Sequence, residues 1–327
     1  MRILVTGGAG YIGSHTVRML EPLAEEIVVY DNLSKGHRQA VNCVFVQGDL
    51  FDSSLLAETI CKHRIEAVVH FAAFSLVGES MENPRRYYHN NVQGTLNLLN
   101  VMLDQGVNKL VFSSTAAVYG EPECVPITEE TAKNPTNVYG RTKLIMEQAM
   151  ADYADAHGLN YIALRYFNAC GAHPQGDIGE DHAPETHLIP LILQTCLGKR
   201  ENIKIFGNDY QTKDGTCVRD YIHVNDLAQA HVLALQALYQ GKHSASYNLG
   251  NGCGFTVKEV IEAAEFVTGR QISKEIAPRR AGDPAVLIAS SEKIRAELGW
   301  QPEYQDIRSI IDTAWQWHKN HPEGFGS

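Results

Sequence analysis

The first half of the chain alternates between short apolar runs and longer stretches with helical spacing. The runs are "RILVTG" from Arg2, "EIVVYD" from Glu26, "CVFVQGD" from Cys43, "EAVVHFAA" from Glu66, "NKLVFSST" from Asn108 and "YIALRYFN" from Tyr161. Short β-branched runs separated by helical lengths predict parallel strands in βαβ units. The first of the helical stretches is expected from about Ser14 to Leu23. A parallel sheet covered on both faces binds ligands beyond the carboxyl ends of its strands, so the residues that follow each run are the ones to inspect.

After Asn168 the texture changes. "ACGAHPQGDIGEDHAPETHLIP" has no period and is rich in Gly, Pro, Asp and His. A long irregular stretch inside a compact protein is usually a functional loop. A helix-like "LIPLILQTCLG" follows, then short strands and turns in "IKIFGNDYQTKDGTCVRDYIHV". "NDLAQAHVLALQAL" reads as a helix capped by Asn225 or Asp226, "SASYNLGNG" as a strand, and the remainder as two more helices ending near Trp315 and Trp317. The expected organisation is an α/β chain. Residues 1–168 form a Rossmann-like, doubly wound parallel sheet that binds a dinucleotide, and the chain crosses back around 219–250. Residues 169–327 form a smaller α/β substrate domain.

Composition narrows the function classes. The 327 residues carry 38 acidic and 28 basic side chains, a formal net charge of −10, with no basic block. Nucleic-acid binding needs clustered Lys and Arg, so it is not expected. The chain has no apolar run of transmembrane length. It opens directly into a strand, so a cytoplasmic protein without a leader is expected. Seven cysteines stand singly and in odd number, which argues against a disulfide framework and for reduced thiols. No His pair shows helical ligand spacing, so no metal site is expected.

"VTGGAGYIGSH" carries the first chemistry. Gly8, Gly10 and Gly13 spell G-x-G-x-x-G, whereas Gly7, Gly10 and Gly13 spell G-x-x-G-x-x-G. In either reading the first glycine makes the tight turn, the second admits a pyrophosphate, and the third lets helix and sheet pack closely. Asp31 ends the next strand. A carboxylate there accepts from ribose hydroxyls and repels a 2′-phosphate, which favours NAD over NADP. Lys35 and Arg38 nearby read as solvated loop charges. Farther on, Tyr139 and Lys143 stand at i and i+4, one turn apart on a helix with start signals at Asn134, Pro135 and Asn137 and a stop at Gly158. A tyrosine with a pKa near ~10 must fall by roughly three units to act as a base near neutrality. A neighbouring ammonium and a positive nicotinamide ring lower it. Ser113, Ser114 and Thr115 end the fifth run, and each offers a hydroxyl to a reacting oxygen.

With these residues on view, the chain resembles the sugar-nucleotide epimerases of the extended short-chain dehydrogenase/reductase family. The resemblance runs from Met1 to about the last ten residues. It rests on "VTGGAGYIGSHT", "HFAAFSLVGES", "NNVQGTLNLL", "FSSTAAVYG", "YGRTK", "LRYFNACGAHP", "IFGNDYQTKDGTCVRDYIHV" and "RRAGD". It selects Gly7, Gly10 and Gly13 as the fingerprint and Thr115 as the working hydroxyl. It implies interconversion of UDP-galactose and UDP-glucose through transient oxidation at C4 to a 4-keto intermediate, with NAD held between turnovers. Tyr139 acts as the base, and Lys143 tunes it. The implied cofactor contacts also include Tyr11, Ile12, Asp31, Asn32, Asp49, Leu50, Phe71, Ala72, Asn90 and Phe167. The implied UDP-sugar contacts, besides Thr115 and Tyr139, are Asn168, His187, Leu188, Phe206, Arg219, Arg280, Asp283 and Leu287.

Four positions depart from the family's common pattern. Thr115 stands where many members have Ser, Ser75 where many have Lys, and His187 where Asn is common. Leu287 aligns with a Tyr that restricts the sugar in some members, which implies room for UDP-GlcNAc and UDP-GalNAc. Dehydratases of the same fold place Asp-Glu after the active-site Thr, where this chain has Ala116 and Ala117. Uronate epimerisation or decarboxylation needs a cation for the substrate carboxylate. A non-catalytic NAD-sensing scaffold would have no use for Tyr139, Lys143 and Thr115 together. The resemblance also implies a homodimer joined through helices at about Pro84–Gly106 and Thr136–His157.

Overall fold

The computed structural model describes residues 1–280 and 283–326. The apolar runs of the first half become β1 (Arg2–Thr6), β2 (Glu26–Asp31), β3 (Val44–Gln47), β4 (Ala67–His70), β5 (Lys109–Thr115) and β6 (Asn160–Tyr166). They pair in parallel in the order β3-β2-β1-β4-β5-β6. The order reverses between β1 and β4, which is where a doubly wound sheet opens a crevice at its carboxyl end. The fold is thus the expected Rossmann-like α/β class.

Later strands are β7 (Asn168–Cys170), β8 (Ile203–Phe206), β9 (Val218–His223), β10 (Ala245–Leu249), β11 (Gly254–Thr256), β12 (Lys274–Ala277) and β13 (Val286–Leu287). β10 returns to the large sheet as a seventh parallel strand beside β6. β9 is the centre of a smaller sheet with β7, β11 and β13, and β8 pairs with β12. The helices are α1 (Tyr11–Leu20), α2 (Ser53–Lys62), α3 (Val77–Glu82), α4 (Pro84–Tyr87), α5 (Gly94–Asp104), α6 (Val138–His157), α7 (Leu188–Cys196), α8 (Val224–Tyr239), α9 (Val257–Thr268), α10 (Glu292–Leu298) and α11 (Ile307–Asn320).

Alternation along the buried strands sorts side chains onto two faces. Ile3, Val5, Ile27 and Val29 pack with Val17 and Leu20 of α1 and Leu227 and Leu235 of α8. Leu4, Val28, Tyr30 and Val68 pack with Leu56 of α2, Leu98 and Met102 of α5, and Met146 and Met150 of α6. A separate core joins α7, α9 and α11 over β8 and β9.

Several boundaries differ from the sequence reading. α1 begins at Tyr11, because Gly10 already has extended backbone and serves as its cap. α8 is capped by His223, whose Nδ1 accepts from the Asn225 amide. Asp226 instead turns its carboxylate outward from the helix to accept from the amides of Glu303 and Tyr304 at 2.8 and 3.1 Å. Three helices, not two, follow residue 250; α9 starts at a Thr256–Glu259 capping box. The helical run from Pro84 to Asp104 is interrupted by a π turn over Tyr88–Gln93. α6 follows its signals: Asn137 Oδ1 accepts from the Gly140 amide at 2.8 Å, and Gly158 takes φ +72° to end the helix.

One ion pair lies inside this fold. On α6, Glu147 receives Arg165 of β6 through two parallel bonds of 2.9 and 2.6 Å. Arg165 also donates to Tyr119, which donates in turn to Asn248 of β10. Both charged side chains are buried. Removing one partner of such a pair leaves an uncompensated charge, at a cost of about 3–5 kcal/mol. Glu147→Ala is therefore expected to lower the unfolding free energy measured in urea by about that amount, whereas Glu147→Met combined with Arg165→Met recovers most of it.

Candidate active site

The glycine turn follows β1 directly. Gly7 has φ +70°, in the left-handed region that favours glycine. A Cβ on Gly7 would also lie 2.5 Å from the Ala72 amide nitrogen. At Gly13 a Cβ would be driven into the Gly7 carbonyl and lie 2.8 Å from the Gly8 Cα. Gly10 donates to the Gly7 carbonyl at 3.2 Å and starts α1 with no side-chain cap. The first amides of α1 therefore face the crevice as an anion site. Gly7 supplies the turn, which favours the G-x-x-G-x-x-G reading; Gly8 packs against Val29.

Asp31 ends β2, nearly buried. Its Oδ2 accepts from the Ala9 amide at 3.0 Å and its Oδ1 from the Leu33 amide at 2.8 Å. Burial raises its pKa, and the two amides oppose that rise. A carboxylate has about four acceptor sites, so two remain for ribose hydroxyls. Asn32 donates to the Asp49 carboxylate at 2.7 Å, which ties the ends of β2 and β3 together. Leu50 packs near Gly94. Phe71 and Ala72 both donate their amides to the Thr6 carbonyl, which holds the end of β4 against the glycine turn. Asn90 lies in the π turn and donates to Asn91. Buried Asn91 is bonded to Phe74 and Thr142, so it locks that turn onto α6. Tyr11 donates to the Gly171 carbonyl at 2.6 Å, Ile12 packs on the α1 face of the sheet, and Phe167 packs with Tyr119 and Leu287.

The candidate acid–base residues lie at the carboxyl ends of β5 and β6. Tyr139 is buried, with its amide bonded to the Ser80 hydroxyl at 3.1 Å. Burial pushes its pKa to about 12, and the hydrogen-bonding Thr115 hydroxyl pulls the other way. Lys143 reaches from α6 to the Ser113 carbonyl at 2.7 Å, 6.0 Å from the centre of the Tyr139 ring. Burial lowers Lys143 to about 7, partly offset by Glu147 one turn farther along. Thr115 accepts from the Ala117 amide at 3.2 Å. Ser113 and Ser114 are committed elsewhere: Ser113 pairs with Tyr166, and Ser114 donates to Glu147. Of the three strand-end hydroxyls, Thr115 is the one left beside Tyr139. The sequence reading missed Glu147, although it extends the Tyr139–Lys143 spacing by another four residues along the same face.

The residues expected to meet UDP cluster around the smaller sheet. Arg219 of β9 donates to Asp283 and to the Val218 carbonyl. The Arg280 guanidinium lies 3.9 Å from the centre of the Phe206 ring. Leu287 of β13 is in register with Arg219 and touches the group formed by Tyr119 and Phe167. Asn168 donates to the Asp220 carbonyl at 2.9 Å. His187 caps α7, and Leu188 is its first residue. His187 Nδ1 is bonded to Glu180, which leaves Nε2 for other partners. Ala281 and Gly282 of the "RRAGD" stretch lie outside the described residues.

The chain belongs to the NAD dependent epimerase/dehydratase family, whose model matches residues 3–250. Within that class it is similar to UDP-glucose 4-epimerases. It is 57% identical to the UDP-glucose 4-epimerase of Halalkalibacterium halodurans, across 100% of this chain and 98% of that protein. Its identity to the UDP-glucose 4-epimerase of Lacticaseibacillus casei is 55%, across 100% and 99%. Among solved structures, the UDP-glucose 4-epimerase of Brucella ovis in complex with NAD superposes with a TM-score of 0.94 at 48% identity, covering 96% of this chain and 97% of that one.

Lys143 makes the pH dependence of stability testable. Its folded pKa of about 7 lies below the ordinary 10.5. Between those values the unfolded chain holds more protons, so this residue makes stability rise with pH across that window. Urea titrations of dinucleotide-stripped protein from pH 7 to pH 10 are expected to show that rise, and Lys143→Met is expected to flatten it.

Proposed function

We propose that this chain is a UDP-glucose 4-epimerase, interconverting UDP-galactose and UDP-glucose with NAD as a retained cofactor. One observation carries the reading: a buried Tyr139, with the Thr115 hydroxyl and the Lys143 ammonium beside it, at the carboxyl end of a sheet whose first turn is shaped for a pyrophosphate. The relatives' names agree with it. The absence of an acid at Ala116 and Ala117 weighs against dehydration.

The residues present fit NAD. Gly10 leaves the turn open, since a Cβ there would meet only the Gly7 carbonyl at 3.3 Å; the α1 amides follow it, and Asp31 disfavours a 2′-phosphate. When bound, NAD supplies an acceptor that takes the C4 hydrogen with its electron pair and returns it, together with a positive charge near Tyr139. The protein's part is to move a proton. Tyr139 accepts the proton of the sugar 4-hydroxyl and later gives it back, while Thr115 orients the same oxygen. In a dry site Lys143 is the cation that favours the phenolate, and the Ser113 carbonyl fixes its direction. Arg219 and Arg280 hold the pyrophosphate while the ketose turns over, and Asp283 accepts from ribose. In this reading residues 1–168 with the return segment 219–250 serve the dinucleotide, and residues 169–327 serve the UDP-sugar.

Purified protein given UDP-galactose and no added NAD is expected to form UDP-glucose without accumulating NADH. Tyr139→Phe should lower kcat by about 10²–10⁴-fold. NADH formed in proportion to product would contradict the reading. Leucine at 287 extends the proposal to UDP-GlcNAc and UDP-GalNAc: Leu287→Tyr is expected to suppress their turnover selectively, and wild-type turnover of UDP-glucose alone would refute the extension.

We further propose a cytoplasmic homodimer, with the Pro84–Gly106 and Thr136–His157 segments at its interface. No helix among the described residues is long and apolar enough to cross a membrane. Tyr88 and Leu103 stand exposed on the first of these segments, at 37% and 41%. Sedimentation velocity is expected to give twice the chain mass, and Tyr88→Glu combined with Leu103→Glu to halve it.

A further inference from the structure

The irregular segment between β7 and α7 gathers four side chains that neither the sequence reading nor the proposed reaction uses as a group. Glu180, His182, Glu185 and His187 each direct one ligand atom into a common space, all within 4.8 Å of one another. His182 Nδ1 lies 3.2 Å from Glu180 Oε1 and 3.8 Å from Glu185 Oε2. His187 Nδ1 contacts Glu180 and lies 3.7 Å from Glu185 Oε1. Four donors held about 2.1 Å from a tetrahedral ion stand roughly 3.4 Å apart, close to these separations.

Glu180 anchors the arrangement in the interior, His182 and Glu185 are half-buried, and His187 is exposed. Glu180 is 3% exposed, and its backbone carbonyl accepts from the Trp317 indole at 3.1 Å. His182 Nδ1 is shielded from solvent and has no hydrogen-bond partner. It stands within ion-pair distance of both carboxylates but in hydrogen-bond geometry with neither. Glu185 is braced by the amides of Thr186 and His187 at 2.6 and 2.8 Å. The edge of the Tyr11 ring faces His182 at 6.2 Å between centroids. A cavity of about 220 Å³, lined in part by Glu180, His182, Glu185 and Lys199, opens beside the cluster and offers an ion a path from solvent.

We propose that Glu180, His182, Glu185 and His187 form a binding site for one divalent transition-metal ion, zinc by the character of its donors. Two imidazole nitrogens and two carboxylate oxygens suit tetrahedral zinc, whereas magnesium and calcium require more oxygen ligands. A bound dication would displace the protons of the two imidazoles, and the two carboxylates would balance its charge. The expectation of no metal site rested on the absence of helical ligand spacing. Here the ligands come from E-x-H-x-x-E-x-H in a loop that doubles back on itself. The ion would tie the loop that meets Tyr11 to the start of α7, and would leave His187 Nε2 free.

The test uses the protein with its dinucleotide bound, passed over a chelator and then titrated with ZnCl2. One zinc per chain is expected to survive buffer exchange, and zinc is expected to raise Tm where MgCl2 does not. CoCl2 should give the visible d–d bands of four-coordinate cobalt without a thiolate charge-transfer band, which separates this site from the exposed Cys61, Cys124 and Cys253. His182→Asn combined with Glu185→Gln should abolish retention, and His182→Gln alone should weaken it at least tenfold. Failure of the wild-type protein to retain zinc or shift its Tm would overturn the proposal. So would a thiolate band, or equal retention by the double variant.

Discussion

Desolvation of one face of α6 is the constraint on which the site depends. Tyr139, Lys143 and Glu147 stand one turn apart on that face and are turned into the sheet. Burial opposes the charged form of each, so each depends on what stands next to it. Glu147 accepts two bonds from Arg165. Lys143 has a carbonyl at the end of β5 and no carboxylate within bonding range. Tyr139 has a single hydroxyl neighbour. The gradient runs from a fully paired charge in the core to a barely supported phenol at the crevice. The core end supplies rigidity, and the crevice end keeps a proton movable.

Rigidity at the core end also fixes the substrate side. Tyr119 accepts from Arg165 and donates its hydroxyl to Asn248 on β10, the strand that returns from the second half of the chain. Phe167 and Leu287 pack against the group of Val118, Tyr119 and Ile127. The polar network that supports Lys143 is therefore one side chain away from the residue expected to gauge the sugar. Shape at the sugar site and proton affinity at the base share a scaffold.

Much of this was legible in the sequence because parallel strands buried on both faces read as unbroken β-branched runs, and their last residues are the site. Asp31 was found in that way, as was the Ser113–Thr115 group from which the resemblance chose Thr115; Tyr139 and Lys143 were found by their helical spacing. Residues that depend on long-range partners were not. The cap of α8 passed to His223, because Asp226 found partners some 77 residues away. The π turn at Tyr88–Gln93 leaves no mark on a 3.6-residue period. The Glu180–His187 cluster lies in a loop, where spacing along the chain says little about separation in space. Arg219 and Arg280 carried no local signal beyond charge; only resemblance singled them out.

The return of β10 to the large sheet has an architectural consequence. The chain leaves the first sheet after β6, builds β7 to β9, goes back through α8 and β10, and leaves again for β11 to β13. The two sheets are stitched by several crossings, and no single linker joins them. The second half of the chain cannot be exchanged with that of a relative by one splice, nor shed by one proteolytic cut. Change of specificity in such a chain has to proceed residue by residue, within a frame that both halves share.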